Sequence, residues 1–415
     1  MSNISHDMQR LISNFFSLSV LQSLNMFLPL VTLPYLVRSL GVETFGIIAF
    51  TLSIIMFFNI IVSFGFELSA TRQISMNTGN SQKISDIFSS VMTIKLVLLV
   101  ASLLVLILLI ICIEEVSNHA SLYLVTFGLV IGNMLFPSWL FQGMEKMKYI
   151  TYINVITKTI ITGLIFVFVQ NKNDFMYVPM LNSLAAIISG LASLWLAFKV
   201  FDISFVIPTN ENIKKQIRES YYFFLSRVAN DGSRYFATTI IGLNFGNVLV
   251  GYFSIVEKLF YALISVGGIV SQTIFPFMSR VKDINIYKKI LSITMCISAL
   301  VIIITMHFNK FLLMFLFDIQ NEILSDIFNI VFSGAIFGIL SSMIGYPLLA
   351  AFGFVKPANK SLIYASIIYV LYITAATAFK ADIYVVSFAI TLYMITGLFF
   401  RLYYVQKYMV KGKYI

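Results

Sequence analysis

The sequence is poor in charge. Asp, Glu, Lys and Arg make up 11% of its 415 residues, against 59% hydrophobic, where soluble chains average about 25% charged and 45–50% apolar. So few ionised groups cannot cover the surface of a soluble fold of this length, which excludes a soluble enzyme and a nucleic-acid-binding domain. Cysteine is nearly absent. Cys112 and Cys296 both lie in apolar stretches, with neither metal spacing nor a disulfide framework. His6, His119 and His307 are scattered, and no His/Asp/Glu cluster has ligand spacing. There is no Walker A pattern or glycine-rich nucleotide loop, so neither a metal nor another cofactor is expected. A cleavable signal is not evident either. The uncharged stretch between Arg10 and Arg38 outruns an h-region of about 7–15 residues and ends in Pro34-Tyr35-Leu36-Val37, so a retained first span is expected.

What the chain has is long apolar runs. A helix crossing a hydrocarbon core of about 30 Å needs about 20 residues. Charges, Pro/Gly clusters and Asn/Asp loops punctuate twelve such runs, at 14–37, 44–66, 87–113, 121–143, 151–170, 175–198, 220–243, 248–275, 290–308, 327–352, 361–379 and 383–400. Between 309 and 326, Phe311 to Phe317 reads as a short interfacial segment. Runs this long, without alternation, exclude a membrane β-barrel. An even count puts both termini on one side. With that side cytoplasmic, nineteen Lys and Arg fall in inside loops and tails, four in outside loops and five within spans, a bias that sets the orientation. The net charge of +10 is then mostly a property of cytoplasmic loops. All outside loops are short, which leaves no room for an extracytoplasmic catalytic domain.

The two halves echo each other. Gly41 and Gly46 recur as Gly246 and Gly251, and Pro137, Gly143 and Lys146 recur as Pro347, Gly353 and Lys356. These pairs fall at corresponding helix numbers and predict a 6 + 6 duplication. Six is even, so the repeats are parallel, about an axis along the membrane normal, with substrate expected between the halves. The expected domains are a six-helix lobe over 1–198, a basic cytoplasmic linker over 199–219, and a second six-helix lobe with a basic tail over 220–415.

Charges within spans cost roughly 2.5–3.5 kcal/mol each at a helix centre, and they face cavities or pair with one another. Seven are present: Lys95, Lys158, Arg227, Asp231, Arg234, Glu257 and Lys258, a surplus of three bases. Arg227, Asp231 and Arg234 share one helix face, which reads either as an intrahelical ion pair with one Arg left over or as a cavity lining. Arg227 and Lys95 lie about two turns from the inner ends of their spans and could snorkel. Glu257 and Lys258 are adjacent and point about 100° apart. Gln22, Asn25 and Pro29 form a polar, kinkable stripe on the first span, open to packing or to ligand. Asn59, Asn133, Asn154 and Gln272 read as packing groups.

The stretch from Asn25 to Gly41, NMFLPLVTLPYLVRSLG, resembles the N-terminus of the O-antigen/polysaccharide flippases, the Wzx-type members of the multidrug/oligosaccharidyl-lipid/polysaccharide exporter superfamily. Glu43-Thr44-Phe45-Gly46, Phe64-Gly65-Phe66-Glu67-Leu68-Ser69-Ala70-Thr71-Arg72 and Pro137-Ser138-Trp139-Leu140-Phe141-Gln142-Gly143 continue the likeness. The C-terminal half has no comparably sharp motif. The resemblance implies an all-α polytopic membrane protein of about twelve transmembrane helices, in two six-helix lobes around a central cavity. It implies the transport of undecaprenyl-diphosphate-linked oligosaccharide (an O-antigen or capsule repeat unit) from the inner to the outer leaflet of the bacterial inner membrane. It also implies cationic cavity residues for the anionic cargo, for which Arg234, Arg227, Lys258, Lys158, Lys95 and Arg38 are the candidates. Asp231 and Glu257 are the candidates for ion coupling. The expected partners are the lipid-linked oligosaccharide, membrane lipids, and a polysaccharide polymerase and chain-length regulator.

The first alternative is a drug or cation antiporter of the same superfamily, which would place acids rather than a surplus of bases in its cavity. A membrane polysaccharide polymerase would need a large outside loop. A general twelve-helix facilitator would carry a basic, glycine-containing loop between spans two and three, where this chain has Thr71-Arg72-Gln73-Ile74-Ser75-Met76-Asn77-Thr78. A transporter, not an enzyme, is therefore expected.

Overall fold

The computed structural model describes residues 28–201 and 203–410, and every regular element among them is helical. Gln22 and Asn25 lie outside the described residues. Short polar side chains start several of the helices. Asn80, Thr209, Asp283, Asn321 and Asp382 each accept a bond from a backbone N–H two or three residues on, serving donors that have no intrahelical partner. Ten helices are long and apolar enough to cross a membrane, as expected of a multi-pass membrane protein. The remaining two expected spans are seen differently. The first is described only from α1 (Leu28–Leu40). The seventh is a continuous but charged rod, α10 (Asn210–Arg227), a π-helical turn at Val228–Gly232, and α11 (Ser233–Phe245).

The chain forms two compact units. The described part of the first comprises residues 28–41 and 50–235. It holds α1 and most of α2 (Val42–Ser63), then α3 (Phe66–Ser75), α4 (Ser81–Cys112) and the short α5 (Glu114–Ser117). The fourth span is α6 (Ala120–Leu135) plus α7 (Ser138–Gly143), followed by α8 (Met147–Phe168), α9 (Tyr177–Phe201) and α10. Trp139, Phe88, Phe127 and Phe141 fill its core. In a bilayer, helices associate through close packing of small residues, and α6 packs on α9 in this way. A Cβ on Gly132 would stand 2.3 Å from the Ala186 backbone, and one on Gly190 2.7 Å from the Gly132 carbonyl. The segment after α9 lies along α4, with Ser204 N and Val206 N donating to Ser85 Oγ and Ser89 Oγ.

The second unit comprises residues 42–49 and the described chain from 236 onward. It contains α12 (Asn247–Val281), α13 (Ile284–His307), α14 (Asn309–Phe317), α15 (Glu322–Phe332), α16 (Ala335–Ile344), α17 (Val355–Ala378) and α18 (Ile383–Val405). With nine residues, α14 has less than half the length that a membrane crossing requires. A π-helical turn at Gly345–Ala350 follows α16. Gly334 and Gly338, at the start of α16, press on Thr391 and Met394 of α18. They match Gly128 and Gly132 of α6 at a constant offset of 206, so the repeat extends to the small-residue face of the fourth helix in each half. Pro347, paired in sequence with Pro137 at an offset of 210, falls about one turn later in that register.

The first pair of repeated glycines marks a crossing. Gly41 (φ 79°, ψ 161°) and Gly246 (φ 83°, ψ 169°) share one backbone conformation that side chains disfavour. Each starts a helix whose next repeated glycine is closely packed. A Cβ on Gly46 would lie 1.9 Å from the Asn247 carbonyl oxygen, and one on Gly251 2.4 Å from that of Val42. The N-terminal ends of α2 and α12 therefore cross backbone to backbone within the second unit.

Candidate functional site

Proline decides where polar chemistry enters the membrane-spanning helices. Pro137 has no N–H, so the Asn133 carbonyl four residues earlier loses its helical donor. Phe136 is driven to extended geometry (φ −91°, ψ 98°), and the span breaks between α6 and α7. Irregular backbone at membrane depth must be buried in protein or line a cavity. Lys95 of α4 fills the gap, donating from Nζ to Asn133 O at 3.1 Å. The snorkelling expected of Lys95 is not found. Its helix starts at Ser81, so the residue lies about four turns along it and is only 4% exposed. Pro347 has the same consequence in the second unit. The Met343 and Ser342 carbonyls, which it would serve in α or π register, accept instead from Tyr287 Oη at 3.3 Å and Ser271 Oγ at 2.9 Å. Beside them Arg401 Nη1 donates to Ser341 O and, at 3.0 Å, to Ser341 Oγ, and Nε donates to Ser361 Oγ at 3.3 Å. Its position in the sequence puts Arg401 among the cytoplasmic bases, yet it is 5% exposed.

The break at Pro137 opens on a cavity of about 130 Å³ lined by Asn59, Ser63, Glu67, Lys95, Asn133 and Trp139, among others. Asn133 Nδ2 donates to Asn59 Oδ1 at 3.0 Å. Glu67 comes from α3, just past the left-handed Phe64-Gly65 turn (φ 42° and 72°) that ends α2. Arg227 Nη2 pairs with Glu67, and its Nη1 with Asp231 at 2.8 Å. The same helix is fastened to α3 by a short ladder. Gln73 and Gln216 exchange two amide bonds of 2.8 Å, and Ser69 Oγ and Ser220 Oγ stand 2.6 Å apart. A Cβ on Gly65 would lie 2.6 Å from Phe224 N.

The other candidates are dispersed. In the first unit Arg234 is exposed on α11, Arg38 is exposed near the end of α1, Lys158 is half-buried on α8, and Pro29 is exposed near the start of α1. In the second unit Lys258 Nζ lies 5.8 Å from the centroid of the Phe45 ring, and Glu257 accepts from Thr238 Oγ1 at 3.4 Å. Among the described residues no group of three or more His, Cys, Asp or Glu could hold a metal ion. Composition and periodicity miss Glu67, which enters the sequence reading only through a motif, and they assign Asn59 and Asn133 to packing. A signal for them exists in the spacing of Asn59, Ser63 and Glu67 at four-residue steps, which continues one helix face across the Phe64-Gly65 turn.

Ten helices long and apolar enough to cross a membrane, one of them broken beside a polar cavity, define a multi-pass membrane protein. Solved structures agree on the fold. The chain superposes on the lipid II flippase MurJ in an inward closed conformation with a TM-score of 0.71 at 13% identity, covering 96% of this chain and 87% of that one. An inward-facing multidrug resistance MATE family transporter of the MOP superfamily gives 0.70 at 13% identity, covering 95% and 98%. The sequence then narrows the class. Residues 11–282 match the family described as "Polysaccharide biosynthesis protein", and the chain belongs to that family. A protein of Escherichia coli (strain K12) named "Putative O-antigen transporter" is 31% identical over 285 residues, 67% of this chain and 69% of its own. A protein of Shigella dysenteriae with the same name is 28% identical over 281 residues, with the same coverage. Relatives of this kind place the chain among transporters rather than enzymes.

Proposed function

We propose that this chain moves an undecaprenyl-diphosphate-linked oligosaccharide, an O-antigen or capsule repeat unit, from the cytoplasmic to the periplasmic leaflet of the bacterial inner membrane by alternating access. Both termini lie in the cytoplasm in this reading, and a polysaccharide polymerase and chain-length regulator take up the product outside. The observation that carries it is family membership over residues 11–282 together with relatives named for O-antigen transport. The base surplus within the spans suits a diphosphate. Arg227 already serves two carboxylates, so its part is to hold α10 on α3. Arg234, Lys258, Lys158, Lys95 and Arg38 remain as contacts for the cargo, and Asp231 and Glu257 as coupling carboxylates. Moving about two negative charges outward across about 100 mV gains roughly 4–5 kcal/mol, at about 2.3 kcal/mol per charge, enough for the membrane potential to set the direction.

The test is reconstitution in vesicles with a labelled undecaprenyl-diphosphate oligosaccharide, under an imposed potential, for the parent and for Arg234→Ala. Protein-dependent crossing that follows the potential and falls in the variant supports the reading. Crossing unaffected by the variant keeps the function and removes Arg234 from the route. Uptake of organic cations without glycolipid crossing returns the chain to the antiporter alternative.

A further inference from the structure

The cavity at the Pro137 break has a chemistry more specific than a cationic route requires. Lys95 and Glu67 both line it without pairing with each other: Lys95 bonds to Asn133 O, and Glu67 pairs with Arg227. An ammonium on one wall disfavours a cation, and a carboxylate on the other disfavours an anion. The guest that suits both is neutral and carries groups that donate and accept at once. Beside Phe66 and Phe136, the remaining lining is polar. Asn59 and Asn133 bring amides with both capacities, and Ser63 a hydroxyl. Lys95 has three N–H groups, of which only one is used by a described residue. The Trp139 indole N–H is buried and has no hydrogen-bond partner among the described residues, although Trp139 is only 1% exposed. Water can occupy such a cavity, but a ring of adjacent hydroxyls satisfies the two amides, the serine hydroxyl and the spare N–H groups of Lys95 at once.

We propose that this cavity is a monosaccharide subsite, which takes one neutral pyranose ring near Trp139, with its hydroxyls shared among Asn59, Asn133, Lys95 and Glu67. A volume of about 130 Å³ leaves no room for a saccharide chain. The proposal rests on the reading that the cargo is a saccharide, and it adds where one sugar of the repeat unit is recognised. It makes Asn59 and Asn133 specificity-determining residues. Of the bases kept as cargo contacts, Lys95 alone lines this cavity.

The chain has two tryptophans, and the second, Trp195, is 60% exposed. A Trp195→Phe protein therefore reports on Trp139 alone. The purified full-length protein in detergent is titrated with free hexoses, N-acetylhexosamines, deoxyhexoses and uronic acids to about 100 mM, with the open-chain hexitol sorbitol as the non-ring control. The expected result is a saturable change in Trp139 emission for at least one neutral pyranose class, weaker for the uronic acids and absent for sorbitol. In Asn133→Ala the half-saturation should rise at least tenfold, with the unfolding temperature unchanged. No saturable change with any sugar, an equal change with sorbitol, or an unaltered half-saturation in Asn133→Ala overturns the proposal. If Asn133→Ala does not fold, the contrast between pyranose and sorbitol in the parent decides alone. Vesicle crossing without sugar titration removes the subsite and keeps the flippase reading. Sugar titration without crossing does the reverse.

Discussion

Gly46→Ala tests whether the crossing of α2 and α12 is as tight as its geometry says. The added Cβ would lie 1.9 Å from Asn247 O and 2.9 Å from Gly251 N, where ordinary contact begins at 3.4 Å. The two helices must therefore part at this point by most of that shortfall. The obstruction is backbone, which cannot rotate away as a side chain would. Overpacking costs about 1–3 kcal/mol, and this case belongs at the upper end. Alanine recovers about 1 kcal/mol of helix propensity, leaving a net loss of about 2 kcal/mol. For a unit of about 150–250 residues that lowers the unfolding temperature by about 4–8 °C. Gly251→Ala loads the same crossing from the other side, its Cβ 2.4 Å from Val42 O. Helices already parted by the first substitution admit the second at little further cost, so the double variant should lose less than the two singles together. Gly163 sits within α8 with nothing within 4 Å of where an added methyl would stand, and Gly163→Ala should gain about 1 kcal/mol. Thermal unfolding in detergent, read by tryptophan emission, checks all four proteins. A Gly46→Ala protein that melts with or above the parent, or losses that simply add, would refute the reasoning.

Gln73→Leu leaves the buried Gln216 amide unpaired and should cost about 1–3 kcal/mol, whereas Gln73→Leu/Gln216→Leu should recover most of that; a double-mutant cycle on unfolding temperature measures it. Ser361→Ala removes one of the acceptors of the buried Arg401 guanidinium and should cost about 1.5 kcal/mol, with Ser361→Thr closer to the parent in the same assay. Lys95→Met strips the Asn133 carbonyl of its donor and should cost about 1–3 kcal/mol, but less in a Pro137→Ala background, where residue 137 regains an N–H. Equal losses in both backgrounds would show that Lys95 does not cap the break.

The architecture is legible in the sequence because a membrane limits the options. Backbone groups in hydrocarbon must bond within their own segment, so run length and charge punctuation are enough to find the spans. Starts differ where the polar first turns of a helix extend beyond its apolar stretch, as in α4, which begins at Ser81 rather than 87, and α10, which begins at Asn210 rather than 220. The candidate site is less legible, because periodicity along one helix cannot name a partner on another. The face shared by Arg227, Asp231 and Arg234 is visible in sequence. Glu67, the second partner of Arg227, lies far earlier in the chain, in a segment that reads as the end of a span.

Internal repetition supplies what periodicity cannot, although it points to equivalent positions and not to contacts. Gly46 and Gly251 are recognisable as a pair from their matching places in the two halves, yet nothing in that match says that they pack on one crossing. Pro137 and Pro347 make the same point in terms of chemistry. Each deletes a backbone donor, and each freed carbonyl finds a long-range side chain, Lys95 in one half and Tyr287 and Ser271 in the other, with Arg401 alongside. At these two breaks a polar side chain from a neighbouring helix takes the freed carbonyl, and a buried base accompanies it in both halves. That explains how Lys95 and Arg401 are held within the helices without a carboxylate partner among the described residues. Carbonyl dipoles and hydroxyls offset only part of the cost of burying a charge. At Pro137 the remainder falls to the polar cavity that Lys95 lines, where its Nζ caps the Asn133 carbonyl and keeps N–H groups that no described residue uses.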